Sequence, residues 1–270
     1  MTKKIIALDL DGTLLRSDNT ISDYTVNTLK QVAAQGHQVV IVTGRPYRMS
    51  ISAYKRLGLG GPMINFNGAL THIPESKWAG ELSMKIDKDF LFDVLNHYQA
   101  FETDFLASEY RKNFYITMDN RQLIPPEIFG VPKIIDKMEL KPEKITRDPN
   151  ALLMQTHAAD KYLLADEIRQ HFDNQLEVDS WGGPLNILEF SPKGVNKAFA
   201  LKHLLERLRK SPQDLIAFGD EHNDTEMLAY AGQGYAMKNA SDSLLPYADA
   251  MTQCSNEADG VAKQLAQLLL

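Results

Sequence analysis

The chain has 270 residues, 44% hydrophobic and 24% charged, with a formal net charge of −6. That length exceeds a typical single domain, and the composition suffices for a sizeable core. The acidic balance argues against nucleic-acid and anionic-membrane partners, but leaves small anionic ligands open, because a local basic site overrides the global charge.

The basic start Met1-Thr2-Lys3-Lys4 leads into the apolar run Ile5-Ile6-Ala7-Leu8, which stops at Asp9 and is too short for a secretory core. No later stretch has transmembrane length, so a cytoplasmic address is expected. Three short apolar runs each end in a polar cluster. Ile5–Leu8 leads into Asp9-Leu10-Asp11-Gly12-Thr13, Gln38–Val42 into Thr43-Gly44-Arg45-Pro46, and Leu215–Phe218 into Gly219-Asp220-Glu221-His222-Asn223-Asp224. Such Ile/Val-rich runs without alternation read as strands buried on both faces. Between the first two, Val26, Leu29, Val32 and Ala33 have helical spacing, with Ser22 as a start and Gly36 as a stop. Strand, helix, strand predicts a parallel sheet with right-handed crossovers. Pro46 stands at a helix start, and Met63–Phe66 reads as a further strand ending at Asn67-Gly68.

The middle of the chain differs. Helices near Phe90–Tyr98 and Lys161–Phe172 flank strand-like pieces at Phe114–Thr117 and Leu152–Gln155, among clustered prolines. None of the strand-end polar clusters recur there. The fold class expected is therefore α/β: a Rossmann-like parallel sheet with helices on both faces, built from residues 1–83 and 189–270, with an inserted α+β domain at 84–188. After the insertion, a helix from about Val195 to Leu208, the Leu215 strand, a helix from about Asp224, a strand near Tyr235–Met237 and a last helix complete the core. The single cysteine, Cys254, permits no internal disulfide, and no Cys/His spacing suggests zinc.

In an open parallel sheet, ligands bind beyond the carboxyl ends of the strands. All three polar clusters lie at such ends, so they converge despite their separation in sequence. Asp9 and Asp11 repel unless a cation or proton lies between them; Mg²⁺, which takes one or two carboxylates plus phosphate oxygens, fits. The Thr43 hydroxyl and the Gly44 amide can donate to a phosphate oxygen at a helix start. Lys193 and Lys197 open a helix, where a cation opposes the dipole; that cost suggests one of them neutralises a phosphoryl group. Asp220 can complete a metal shell. Asp224 can orient a metal-bound water or simply cap its helix.

These residues, in this order, resemble the haloacid dehalogenase-like superfamily, and within it the Cof-type sugar-phosphate phosphatases. The first motif is Asp9-Leu10-Asp11-Gly12-Thr13-Leu14, the second Thr43-Gly44-Arg45-Pro46, the third Gly194-Val195-Asn196-Lys197, and the fourth Gly219 to Asp224. Asn67-Gly68-Ala69 and Lys238-Asn239-Ala240 also match the group's habits, while Ala198 stands where relatives often carry glycine. The resemblance implies that Asp9 is a nucleophile and that Asp11 is general acid then base, binding the metal through its main-chain carbonyl. It implies that Thr43, Gly44, Lys197 and Asn223 hold the phosphoryl group. It implies further that Asp9, Asp11, Asp220 and Asp224 form a Mg²⁺ site and that Gly12, Arg45, Asn67 and Asn239 line it. Asp11 then has to be protonated part of the time, which anionic neighbours favour.

The expected activity is Mg²⁺-dependent hydrolysis of a small phosphate ester through an aspartyl-phosphate. The alternatives are a phosphotransferase or mutase on the same site, and a non-catalytic phospho-ligand sensor. A dinucleotide enzyme is excluded by the lack of a glycine fingerprint after the first strand. Trp181-Gly182-Gly183-Pro184, Phe114 and Tyr115 are candidates for substrate contact or for ordinary packing; no oligomeric state is read from the sequence.

Overall fold

The computed structural model describes residues 3–181 and 185–270. In chain order it begins with β1 (Ile5–Leu8), α1 (Asp23–Ala34), β2 (Gln38–Ile41), α2 (Tyr47–Leu57), β3 (Met63–Asn65), β4 (Leu70–His72) and β5 (Leu82–Ser83). There follow α3 (Lys88–Asn96), β6 (Thr103–Tyr110), β7 (Asn113–Ile116), β8 (Ala151–Thr156), α4 (Lys161–His171), β9 (Leu176–Ser180) and β10 (Ile187–Pro192). The remainder holds α5 (Lys197–Leu208), β11 (Leu215–Gly219), α6 (Thr225–Tyr230), β12 (Gln233–Ala236), β13 (Ala250–Met251) and α7 (Gly260–Leu269). The chain divides into two compact units. One is Met1–Arg45 with Ser50–Leu82 and Asn196–Leu270; the other is Pro46–Met49 with Ser83–Val195.

The first unit is built on a parallel sheet of order β13-β12-β11-β1-β2, the α/β architecture that the rhythm of apolar runs predicts. β1 lies inside it, between β11 and β2, and all four of its residues are buried. Burying a side chain such as Ile6 or Leu8 contributes roughly 1.5–3 kcal/mol, so a strand of this kind has to sit inside. Ile5 and Ala7 pack with Leu201, Leu204 and Leu205 of α5 and with Met227 and Leu228 of α6. Ile6 and Leu8 point to the opposite face by strand alternation. Leu8 is in register with both Phe218 and Ile41, so Asp9, Val42 and Gly219 stand level along one edge of the sheet. A parallel bridge from Val42 to Ile64 adds β3 beside β2. α1 starts where expected: the Ser22 hydroxyl accepts from the Thr25 amide at 3.0 Å, and the helix ends before Gly36.

The second unit is an antiparallel sheet of order β7-β6-β8-β10-β9. Its strands alternate between two apolar layers. Leu106, Leu152, Met154, Leu188 and Phe190 pack with Leu91 and Val94 of α3 and Leu164 and Ile168 of α4. Phe105, Ala107, Leu153 and Ile187 face the opposite way, onto Ile124, Ile128 and Phe129. Phe114 belongs to that second layer, stacked 4.7 Å from Phe129 with the Arg48 guanidinium 4.6 Å above it. It is therefore core rather than a free ligand contact. The Trp181 indole donates to Glu189 at 3.0 Å, while Gly182, Gly183 and Pro184 lie outside the described residues.

Candidate active site

The site residues lie along the carboxyl edge of the first unit's sheet. Asp9 continues β1, its amide still donating to the Phe218 carbonyl at 3.1 Å. Strand geometry then ends. Asp11 is extended (φ −72°, ψ 127°) and Gly12 takes φ +69°, turning the chain into a tight loop closed by Leu15 N–H to Leu10 C=O at 2.8 Å. Only glycine adopts that φ readily. A Cβ on Gly12 would also stand 2.0 Å from Asp220 Oδ2, so the glycine makes room for a site carboxylate.

Lys197 is the first residue of α5, whose N-cap Asn196 accepts from the Phe199 amide at 2.9 Å. It is 0% exposed, and its Nζ donates to Asp9 Oδ1 and to Asp224 Oδ1, both at 2.6 Å. Lys193, the other candidate, is exposed, precedes the helix and pairs with Glu177 at 3.3 Å. The buried lysine is the one that faces the carboxylates. Asp220 follows β11 and accepts from the Thr13 hydroxyl at 2.7 Å. Asp224 Oδ2 accepts from the Asp220 amide at 3.0 Å and the Glu221 amide at 3.3 Å. Both roles weighed for Asp224 find support: its side chain makes no cap bond within α6, but it closes a capping box on the short turn His222–Asp224 that leads into that helix, and it ties the loop after β11 to Lys197.

One oxygen from each of Asp9, Asp220 and Asp224 lies within 4.8 Å of the others, and all three residues are buried. Burial pushes Asp9 well above the usual carboxylate range; Lys197 opposes this and the charges of Asp224 and Asp220 reinforce it. Asp220 is raised to about 7, again chiefly by burial, against the hydrogen bond from Thr13. Burial alone would depress the Lys197 ammonium, but Asp224 and Asp9 more than reverse it and hold it charged. Three carboxylates share one ammonium. The excess negative charge in so dry a place calls for a proton or a cation. An all-oxygen donor set of this kind suits a hard dication such as Mg²⁺.

Asp11 is elsewhere. Its side chain is 59% exposed and takes a two-point bond from Arg45, Nε to Oδ2 at 2.7 Å and Nη2 to Oδ1 at 2.5 Å. In place of the anionic surroundings expected for it, Asp11 faces the Arg45 guanidinium. Arg45 also donates to Asn19 Oδ1 at 2.6 Å.

Thr43 is buried, and its hydroxyl accepts from the Arg45 amide at 3.1 Å, shaping the loop that holds Gly44. A Cβ on Gly44 would meet the Asn67 amide group at 3.1 Å. The Asn223 amide donates to Asn67 Oδ1 at 3.1 Å, so these two residues from different loops stand together. Asn239 donates to the Gly12 carbonyl at 2.7 Å and supports the first loop from outside. His222 is exposed and opens the short 3-10 turn His222–Asp224.

Two supporting residues escaped the sequence reading. Thr13 orients Asp220, and its place directly after Asp-x-Asp-Gly was the available signal. Asn65, fully buried, donates to the Arg45 carbonyl at 2.9 Å and to Ser50 Oγ at 2.8 Å, with His72 Nε2 at 3.0 Å from its Oδ1. An asparagine closing an apolar strand was its only trace.

Known proteins share this design. A family model of haloacid dehalogenase-like hydrolases matches residues 6–265. The chain is 32% identical to the 5-amino-6-(5-phospho-D-ribitylamino)uracil phosphatase YitU of Bacillus subtilis, over 97% of this chain and 96% of that protein. It is 29% identical to the pyridoxal phosphate phosphatase YbhA of Escherichia coli, over 97% of each chain. A haloacid dehalogenase-like hydrolase from Bacteroides thetaiotaomicron superposes with a TM-score of 0.85 at 25% identity, over 99% of this chain and 100% of that one. No helix among the described residues is long and apolar enough to cross a membrane. The chain belongs to the haloacid dehalogenase-like hydrolases, in their Cof-type group, and is a phosphoric monoester hydrolase.

Proposed function

We propose that this phosphatase is Mg²⁺-dependent and acts on small phosphorylated metabolites, sugar phosphates among them, through a phosphoryl group carried transiently on Asp9. The observation that carries the proposal is the buried set of Asp9, Asp220 and Asp224 around the charged Lys197. Phosphate monoesters resist hydrolysis so strongly that a carboxylate nucleophile and strong charge neutralisation are both needed.

Asp9 attacks phosphorus and the ester oxygen leaves. Lys197 meets the negative charge of the incoming phosphoryl group, and Thr43, Gly44 and Asn223 complete its cradle. Asp9, Asp220 and the Asp11 main-chain carbonyl would hold Mg²⁺, with Asp224 in support; the ion would supply Lewis-acid polarisation and charge neutralisation. Asp11 donates its proton to the leaving oxygen, then takes one from the water that opens the acyl phosphate. For this it exchanges its two bonds to Arg45 for contact with the leaving group, which leaves Arg45 free to meet substrate. Gly12, Asn67 and Asn239 shape the wall. The inserted domain, with the boundaries 84–188 read from the sequence, selects the leaving group.

Both curated relatives are named for phosphate esters of small ring-bearing molecules, which supports the same class here. The test is phosphate release, with and without Mg²⁺, from a panel of hexose and pentose phosphates, pyridoxal phosphate and phosphorylated ribitylaminouracil. The proposal predicts one or more sugar phosphates among the best substrates; a panel led only by non-sugar esters would overturn that part of it.

A further inference from the structure

The second unit carries another convergent set of metal-binding side chains, chemically unlike the first. Asp93 and His97 lie one turn apart on α3, and His171 is the last residue of α4. His97 Nδ1 stands 2.9 Å from Asp93 Oδ1, and His171 Nε2 stands 2.8 Å from the same oxygen. One donor atom from each of the three lies within 4.8 Å of the others. We infer that Asp93, His97 and His171 form a binding site for a late first-row divalent metal ion of the Zn²⁺ type, which clamps the end of α3 to the end of α4.

Three features point to a cation. The two imidazole nitrogens and the carboxylate oxygen are the donors that such ions prefer over Mg²⁺. Helix carboxyl ends favour positive charge, and both helices end here: His97 is the C-cap of α3 and His171 closes α4. The rings are also fixed in place. His97 stacks on Phe101 at 5.5 Å, and His171 meets the edges of Phe101 at 5.4 Å and Phe172 at 4.8 Å. Phe101 and Phe172 are buried, so they form a rigid floor, while Asp93 and both histidines keep access to solvent.

The geometry needs little adjustment. Metal bonds of about 2.1 Å in a tetrahedral shell separate donor atoms by about 3.4 Å. The two nitrogen–oxygen distances are somewhat shorter than that, so the half-exposed Asp93 carboxylate has only to draw back slightly from the rings. His97 Nδ1 also stands 3.0 Å from the Asp93 main-chain carbonyl; binding releases to solvent the protons shared between the imidazole nitrogens and these oxygens, and water completes the shell. Nothing in the phosphatase chemistry uses these residues, so the site adds a clamp rather than a catalytic group.

The test uses the full-length protein in saturating Mg²⁺, which occupies the carboxylate site, with Co²⁺ and Zn²⁺ as probes. We expect about one equivalent of Co²⁺ to bind with the visible absorption of a nitrogen-ligated ion. In native protein, Zn²⁺ should shift the ring-proton NMR resonances of His97 and His171 while leaving the other histidines in place. His97→Gln, His171→Gln and Asp93→Asn should each weaken Co²⁺ binding at least tenfold with Mg²⁺-dependent phosphatase turnover unchanged. Unshifted His97 and His171 resonances in native protein, or equal Co²⁺ affinity in the variants, would overturn the assignment.

Discussion

Replacing Lys197 with methionine tests the electrostatic design of the site most sharply as a matter of stability. The ammonium is fully buried and bonded at 2.6 Å to both Asp9 and Asp224. Methionine fills nearly the same space but leaves two buried carboxylates facing each other. Breaking a buried pair by removing one partner costs about 3–5 kcal/mol. At about 2–4 °C per kcal/mol for a protein of this size, Tm should fall by roughly 6–20 °C. The pH dependence follows from the shifts. The Lys197 ammonium is raised, so its stabilisation is fully present below its unfolded value near 10.4 and is constant across neutral pH. The Asp9 carboxyl is raised too, and a raised acid costs stability as pH climbs above its unfolded value of about 3.9. Losing the lysine raises Asp9 further, so the deficit should be smaller at about pH 5.5 than at about pH 8. The assay is thermal unfolding in chelator at both pH values for native protein, Lys197→Met, and Lys197→Met with Asp9→Asn. The double variant should regain at least about 1 kcal/mol, a coupling typical of residues in contact. A single-variant loss below about 1 kcal/mol, or a double variant less stable than the single one, would refute the reasoning.

Chelation should abolish turnover, and Mg²⁺ should restore it together with a rise in Tm. Excess Ca²⁺ should inhibit, since it takes more oxygens at longer distance and can occupy both oxygens of Asp9; full turnover in chelator would remove the metal from the scheme. Gly12→Ala combines a left-handed φ, worth about 1–2 kcal/mol, with a Cβ 2.0 Å from Asp220 Oδ2. It should lower Tm and reduce kcat at least about tenfold, and unchanged kinetics would mean that Asp220 is not held where the site needs it.

The first unit was legible because its strands are buried on both faces and stop abruptly at charged residues. β1 is Ile5–Leu8 because Asp9 cannot continue an apolar run, and the same logic located β2 and β11. The pattern also brought Asp9, Lys197, Asp220 and Asp224 to one edge. It did not reveal where Asp11 points, because that depends on the reach of Arg45 from another loop. Position near a helix start left Lys193 and Lys197 open, and only the third motif singled out Lys197, the first residue after the N-cap Asn196. In the second unit, β6 was hidden because Asp104 and Glu109 interrupt its apolar pattern. Both are buried with distant partners: Asp104 accepts from Gln155 at 3.3 Å, and Glu109 takes a two-point bond from Arg48 at 2.6 and 2.8 Å. β10 carries Glu189 and ends in Pro192, which break its apolar pattern.

The central claim is that Asp9 carries the phosphoryl group and Asp11 moves the protons. It is tested most directly by rapid acid quenching of Asp11→Asn after mixing with p-nitrophenyl phosphate and Mg²⁺, followed by mass mapping. p-Nitrophenolate leaves without a proton, so the first step survives, while water still needs a base in the second; each proton transfer is worth about 10²- to 10⁴-fold. The account predicts a phosphoryl adduct that accumulates on Asp9 in Asp11→Asn, forms far more slowly from a sugar phosphate, and is absent from Asp9→Asn. An adduct that accumulates in Asp9→Asn instead, or a label that maps to neither aspartate in the native enzyme, would contradict it.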